Sequence, residues 1–236
     1  MDGYFSGYSI VTCIFFALMF HFLGNLDMVV LATIVGVSLV PFFLFNVFGK
    51  QSKMFIGDAG TLSLGIVYSL FVITVLSAKP TDYAVAPNLG LIPFTLAALC
   101  VPIFDTLRVM VRRILNGNSP FHPDKTHLHH LFIELGFSHI GTTLSIILIN
   151  IMVVLSWFIA FKAGLTVDAQ LYVVIIMGFL TTFVFYPFIK LQMRRESKLY
   201  KFLTVVGKLT HAERKGFWGL AQRWADSFIV EDIEDL

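Results

Sequence analysis

The chain has 236 residues, 57% of them hydrophobic and only 14% charged, with a formal net charge of +2. That much apolar surface exceeds what one soluble core of this length buries, so an ordinary soluble domain is excluded and the excess belongs in a bilayer. In such a protein the placement of charge carries more information than its sum.

A helix crossing ~30 Å of hydrocarbon needs roughly 20 mostly apolar residues. Six runs approach that length: 4–23, 28–48, 62–78, 89–108, 144–161 and 171–188. The first has neither a basic flank before it nor a small-residue cleavage pattern after it, so it reads as a span and not as a removable leader. Cys13 and Cys100 both fall inside apolar runs and read as small packing residues.

The connecting segments divide sharply by charge. The 49–61 loop, the 108–143 segment and everything after Phe188 hold 15 of the 17 Lys and Arg residues, and the opposite side holds only Lys79 and Lys162. Because Lys and Arg are retained in the cytoplasm during insertion, the basic loops and both termini are expected there. The fold class expected is therefore all-α, a polytopic membrane helix bundle of about six transmembrane helices with a cytoplasmic C-terminal amphipathic tail. Its division is 1–190 for the membrane domain and 191–236 for the tail. In that tail Phe217, Leu220, Ala221, Trp224 and Phe228 recur at helical spacing, which suits either a helix lying in the headgroup region or one packed on the cytoplasmic ends of the bundle.

Two clusters carry chemistry. The first, NVFGKQSKMFIGDAGTLSLG, runs from Asn46 and centres on Asp58. Asp58 between Gly57 and Gly60 reads either as a helix N-cap or as a hard carboxylate suited to Mg²⁺ shared with substrate phosphates. The second, DTLRVMVRRILNGNSPFHPDKTHLHH, begins at Asp105. Asp105, Arg108 and Arg112 share one helical face, and Asp105 near the inner end of its span is expected to pair with Arg108. The arginines serve either as topology anchors or as a diphosphate clamp. A short helix is expected from Pro123 and Asp124 to a stop at Gly136, with His127, His129 and His130 on its first turn. Three histidines so close suit phosphate binding, because imidazolium donates to phosphate oxygens; a zinc site, drawing on Asp124 or His122, is the alternative.

Together, F-I-G-D-A-G at 55–60 and S-P-F-x-P-D-x-x-H-L-H-H from Ser119 resemble the polyprenyl-phosphate N-acetylhexosamine-1-phosphate transferases (glycosyltransferase 4 type), above all their N-acetylglucosamine-1-phosphate branch. The resemblance implies a bacterial inner-membrane enzyme that transfers a sugar 1-phosphate from a UDP-sugar to polyprenyl (undecaprenyl) phosphate and releases UMP at the cytoplasmic face. It implies Mg²⁺, with Mn²⁺ as a substitute, held by Asp58. It places the uridine near Asn46 and Phe55, the catalytic histidines at His127, His129 and His130, and substrate-binding cations at Arg112 and Arg113.

Compared with the family, Met1-Asp2-Gly3 resembles the end of an N-x-x-D-G-x-D-G segment, with Asp2 matching its first aspartate and Phe5 standing where the second is expected. The earlier aspartate pair of the family has no counterpart, which implies four or five further helices upstream and little activity from this chain alone. The partners implied are the UDP-sugar, polyprenyl phosphate, membrane lipid and either a second copy or a chain carrying the missing helices; no nucleic acid is expected. A non-catalytic subunit and a zinc-binding membrane protein are the competing readings.

Overall fold

The structure, a computed structural model, describes residues 3–122, 126–211 and 217–230. Among them it contains helices and turns and no strand. The helices are α1 (Tyr4–Phe22), α2 (Leu26–Phe48), α3 (Gly57–Leu76), α4 (Leu91–Ala98), α5 (Cys100–Leu115), α6 (Leu128–Glu134), α7 (His139–Lys162), α8 (Val167–Phe179), α9 (Phe185–Arg194), α10 (Lys198–Leu209) and α11 (Phe217–Val230). A π turn, Leu180–Val184, joins α8 to α9. Five helices are long and apolar enough to cross a membrane, and six if the bent α4–α5 pair counts as one. The chain is thus an all-α polytopic bundle, as its apolar runs predict.

Short polar residues start several helices where their side chains satisfy free N–H groups. Asn25, Ser138, Thr166 and Ser197 accept from the N–H groups of Met28, Gly141, Ala169 and Tyr200. Outward faces are apolar: Leu18, Ile34, Ile66, Leu144 and Ile159 are all exposed, the arrangement that lipid requires. Interior packing relies on close approach. Cys13 Cβ lies 3.1 Å from where a Cβ on Gly36 would stand, and Cys100 Sγ lies 2.8 Å from the equivalent point on Gly178. Both cysteines are small residues filling glycine-lined contacts. Around them Phe16, Phe20, Phe71, Phe94 and Trp157 interlock through ring contacts.

The fourth span departs from the expected straight helix. It breaks at Leu99, where α4 and α5 meet at 70°. A break inside the bilayer frees backbone groups that water cannot satisfy, and Asn150 of α7 takes them up. Its Nδ2 donates to the Ala98 carbonyl (3.2 Å) and its Oδ1 accepts from the Val101 N–H (3.3 Å), while Tyr8 Oη donates to both Ala98 O and Asn150 Oδ1. The π turn has a similar cause. Pro187 has no N–H to return to the preceding turn, and Thr181 and Thr182 cap the Met177 and Gly178 carbonyls there.

Two opposite ends result. At one, Gln170 ties Asn88, Gly90 and Leu165 together. At the other lie the 49–56 loop, the start of α1, the end of α5, α6, the start of α7 and the tail. Here α10 packs on α6 and α7 through Gly207 and a double hydrogen bond between Thr210 and Ser138. Helix α11 returns to α2, stacking Trp224 on Phe45. Within the stripe read from the sequence, the Phe217 and Phe228 side chains lie outside the described residues.

Candidate functional site

The two clusters meet at one end of the bundle. Asn46, in the last turn of α2, lines a cavity of about 280 Å³ together with Tyr4, Phe55, Gly57, Thr61 and His129. Residues from the Asp58 loop and from the histidine cluster, more than sixty positions apart in the chain, thus face one space. Asn46 is itself committed to shaping it: Oδ1 accepts from the Gly3 N–H (2.5 Å) and Nδ2 donates to the Met54 carbonyl (2.6 Å), which fixes the start of α1 against the 49–56 loop. Phe55 is 74% exposed, with the Lys53 ammonium 5.6 Å from its ring centre.

Asp58 is not an N-cap. It occupies the first turn of α3 behind Ile56, which holds the cap position without any side-chain hydrogen bond. Gly57 there has φ 62°, a left-handed value that only glycine adopts without strain. The turn therefore leaves the Asp58 carboxylate exposed at the positive end of the helix dipole, beside a cavity lined by its neighbours Gly57 and Thr61.

The histidine cluster is organised by a residue whose pairing with Arg108 the sequence predicts but whose other partners it does not. Asp105 in α5 is 5% exposed. One carboxylate oxygen accepts from Arg108 Nη2 (2.7 Å), the other meets His127 Nδ1 (2.9 Å), and both receive the Leu128 N–H. Arg108 also donates to the Thr126 carbonyl (2.6 Å) and lies 3.9 Å from the centre of the Tyr186 ring. A carboxylate that accepts from Arg108 and Leu128 obliges His127 to carry its proton on Nδ1, leaving Nε2 to face outward.

Helix α6 starts at Leu128 with His127 as its cap, later than the Pro123–Asp124 start expected; Pro123 and Asp124 lie outside the described residues, as does Asp2. From α6 the rings of His127 and His129 stack at 5.8 Å, His129 meets His130 at 4.2 Å, and Tyr4 of α1 covers His129 at 5.5 Å. Burial, reinforced by His130 and His127, lowers the His129 pKa to about 4. At neutral pH this ring is uncharged, in contrast to the imidazolium expected from the sequence.

The arginines point elsewhere. Arg113 Nη1 donates to the Pro120 carbonyl (2.5 Å), holding the following turn, and Arg112 lines a separate groove between α5 and α9. Alongside this mixed-walled cavity, and sharing Tyr4 and Phe5 with it, runs an apolar cavity of about 520 Å³ walled by Tyr8, Leu99, Pro102 and Ile103. The bend at Leu99 opens that wall. Among the described residues no three His, Cys, Asp or Glu side chains gather as a metal-binding group, which leaves the zinc reading without a ligand set there.

Residues 1–76 match the sequence model described as glycosyl transferase family 4. The chain is 31% identical over 177 residues to a probable undecaprenyl-phosphate N-acetylglucosaminyl 1-phosphate transferase of Bacillus subtilis (strain 168), covering 75% of this chain and 46% of the relative. It is 30% identical over 118 residues to the undecaprenyl-phosphate alpha-N-acetylglucosaminyl 1-phosphate transferase of Pasteurella multocida (strain Pm70), covering 49% and 31%. The protein of that name in Escherichia coli (strain K12) is 26% identical over 140 residues, covering 58% and 36%. The chain thus spans between about a third and a half of the length of these relatives. No solved structure matches it.

Proposed function

We propose a function from the premise that residues 1–76 of this chain are a glycosyl transferase family 4 segment: it serves the transfer of N-acetylhexosamine 1-phosphate from a UDP-sugar to polyprenyl phosphate, with release of UMP. The relatives are named for undecaprenyl phosphate and N-acetylglucosamine, and those two substrates are the ones proposed. The observation that carries the reading is the paired cavities meeting at Tyr4 and Phe5, one with a mixed wall that includes Asn46, Thr61 and His129 beside the Asp58 turn, the other apolar and open along the bundle. A water-borne donor and a lipid-borne acceptor need that juxtaposition. In this reading the site faces the cytoplasm of a bacterial inner membrane, as do both termini.

The residues present fit Mg²⁺. That ion binds through one or two carboxylates plus water and substrate phosphate, and does not need an all-protein cage; the exposed Asp58 carboxylate at a helix start offers such a ligand. When bound, the ion would offset the charge of the phosphates. The chain's own residues do the rest. His127, oriented by Asp105, presents Nε2 to hold or relay a proton, while His129 lines the cavity with His130 packed against it. Asn46 fixes the loop that positions Phe55 for stacking on the nucleotide base. Asp2 is a candidate by resemblance alone, Arg113 holds the Pro120 turn from outside the cavity, and Arg112 stands on the separate groove between α5 and α9.

Calorimetric titration of UDP-N-acetylglucosamine into the chain in lipid nanodiscs tests this. Binding is expected with Mg²⁺ and not with EDTA. Asp58→Asn should weaken it at least tenfold, the lower end of what losing even a supporting group costs a metal site. Binding indifferent to both Mg²⁺ and Asp58 would refute the assignment, and UMP release in the same nanodiscs given undecaprenyl phosphate measures turnover directly.

A further inference from the structure

On the opposite side of α5 from the apolar cavity, a groove of about 880 Å³ runs between α5 and α9. Four cations line it: Arg108 and Arg112 from α5, Lys190 and Arg194 from α9. Two are already engaged, Arg108 with buried Asp105 and Lys190 with Glu134. Among the described residues Arg112 and Arg194 pair with no carboxylate, and both stand in the last turns of their helices, where cations are also favoured by the dipole. The remaining wall is formed by the apolar Phe183, Pro187, Leu191 and Met193, with Thr126, Tyr186 and the Glu134 carboxylate that Lys190 pairs. The run Val167–Arg194 has 28 residues, about 42 Å at 1.5 Å each, more than ~30 Å of hydrocarbon takes up. Its basic end therefore stands at headgroup level while Phe183 and Pro187 lie deeper.

We infer that this groove holds the phosphate of an anionic phospholipid, with Arg112 and Arg194 gripping the headgroup and the apolar wall taking the first part of the acyl chains. Charge and depth both favour a lipid over a soluble anion: basic pockets between helices at the inner face recognise acidic headgroups, and the apolar wall has no use for free phosphate. The groove shares no lining residue with the cavities assigned to the transferase substrates. The inference therefore stands whether or not the proposed reaction is right.

Native mass spectrometry of the purified chain titrated with phosphatidylglycerol or phosphatidylcholine reads the site. The parent is expected to prefer phosphatidylglycerol. Each basic group near an anionic headgroup is worth about a factor of five, so Arg112→Gln with Arg194→Gln should weaken phosphatidylglycerol about twenty-five-fold. Lysine at both positions should keep most of the affinity. Glu134→Gln, which removes the competing carboxylate and leaves the arginines intact, should tighten binding several-fold; this variant decides the matter if the double glutamine chain does not fold. Equal retention of the two lipids, no tightening in Glu134→Gln, or complete displacement of phosphatidylglycerol by millimolar inorganic phosphate would each overturn the assignment.

Discussion

His129 shows what burial does to one residue's chemistry. A free imidazole titrates near pH ~6.5, but here Tyr4 covers the ring, the two flanking histidines repel a charge on it, and its pKa falls to about 4. The unfolded chain therefore takes up a proton between those two values that the folded chain refuses. Stability contributed by the neutral ring is fully present above pH ~6.5 and is lost as pH falls toward about 4. Allowing for partial solvent screening, the loss is on the order of 1–2 kcal/mol. Thermal unfolding of detergent-solubilised parent and His129→Gln chains across that window should show the parent losing more; identical slopes would mean that His129 is not the group responsible. The sequence marks this histidine as a candidate but does not give its charge state. The charge depends on Tyr4, a residue 125 positions away in the chain, and sequence spacing says nothing of such a neighbour. Asp105 teaches the same lesson from the other direction: its pairing with Arg108 is readable at a separation of three, whereas its hold on His127 and Leu128 crosses a loop.

At the scale of elements, apolar length identified the spans well because the bilayer imposes it, and it failed where the backbone had to be interrupted. In the 89–108 run Pro102 marks where the helix ladder fails, because it has no N–H for the Ala98 carbonyl, but the 70° bend at Leu99 is not readable from it; the bend is sustained because Asn150 and Tyr8, from two other helices, satisfy that freed carbonyl. The tail is a second such instance. Its amphipathic stripe left open whether it lies on lipid or on the bundle, and the answer rests on one polar residue outside the stripe. Asp226 of α11 accepts, on a single oxygen, the N–H groups of Lys50, Gln51 and Ser52 and the Ser52 hydroxyl, at 2.9–3.2 Å. Burial works to raise its pKa, but these donors outweigh it and hold the carboxyl below the usual range. Since each hydrogen bond to a charged group is worth about 1.5–3 kcal/mol at best and these are partly wet, Asp226→Ala should cost roughly 2 kcal/mol of docking. Hydrogen exchange over 217–230 should then speed up by an order of magnitude or more while α7 is unchanged. The docking should also weaken as pH falls through the carboxylate range, because protonation removes the acceptor that the folded form prefers charged. Unaltered exchange in Asp226→Ala would show that the Phe45–Trp224 stack holds α11 unaided.

For the molecule as a whole, the two-sided division of charge and the two-sided division of polar networks coincide. The end poor in Lys and Arg is closed by Gln170 and Asn88; the end rich in them gathers the Asp58 turn, the histidines, α10 and α11. If this is one membrane protein with all its chemistry on one face, single cysteines placed at the two ends must react from opposite sides. The native thiols Cys13 and Cys100 are both buried, each 1% exposed or less, so the background is low. In sealed inside-out vesicles a membrane-impermeant maleimide should label Lys53→Cys and Ser197→Cys but not Asp82→Cys or Ala163→Cys, and right-side-out vesicles should reverse the pattern. Labelling of Lys53→Cys and Ser197→Cys from different sides would break the bundle into an arrangement in which the Asp58 loop and the tail could not touch, and would remove the Asp226 clamp together with the shared cavity.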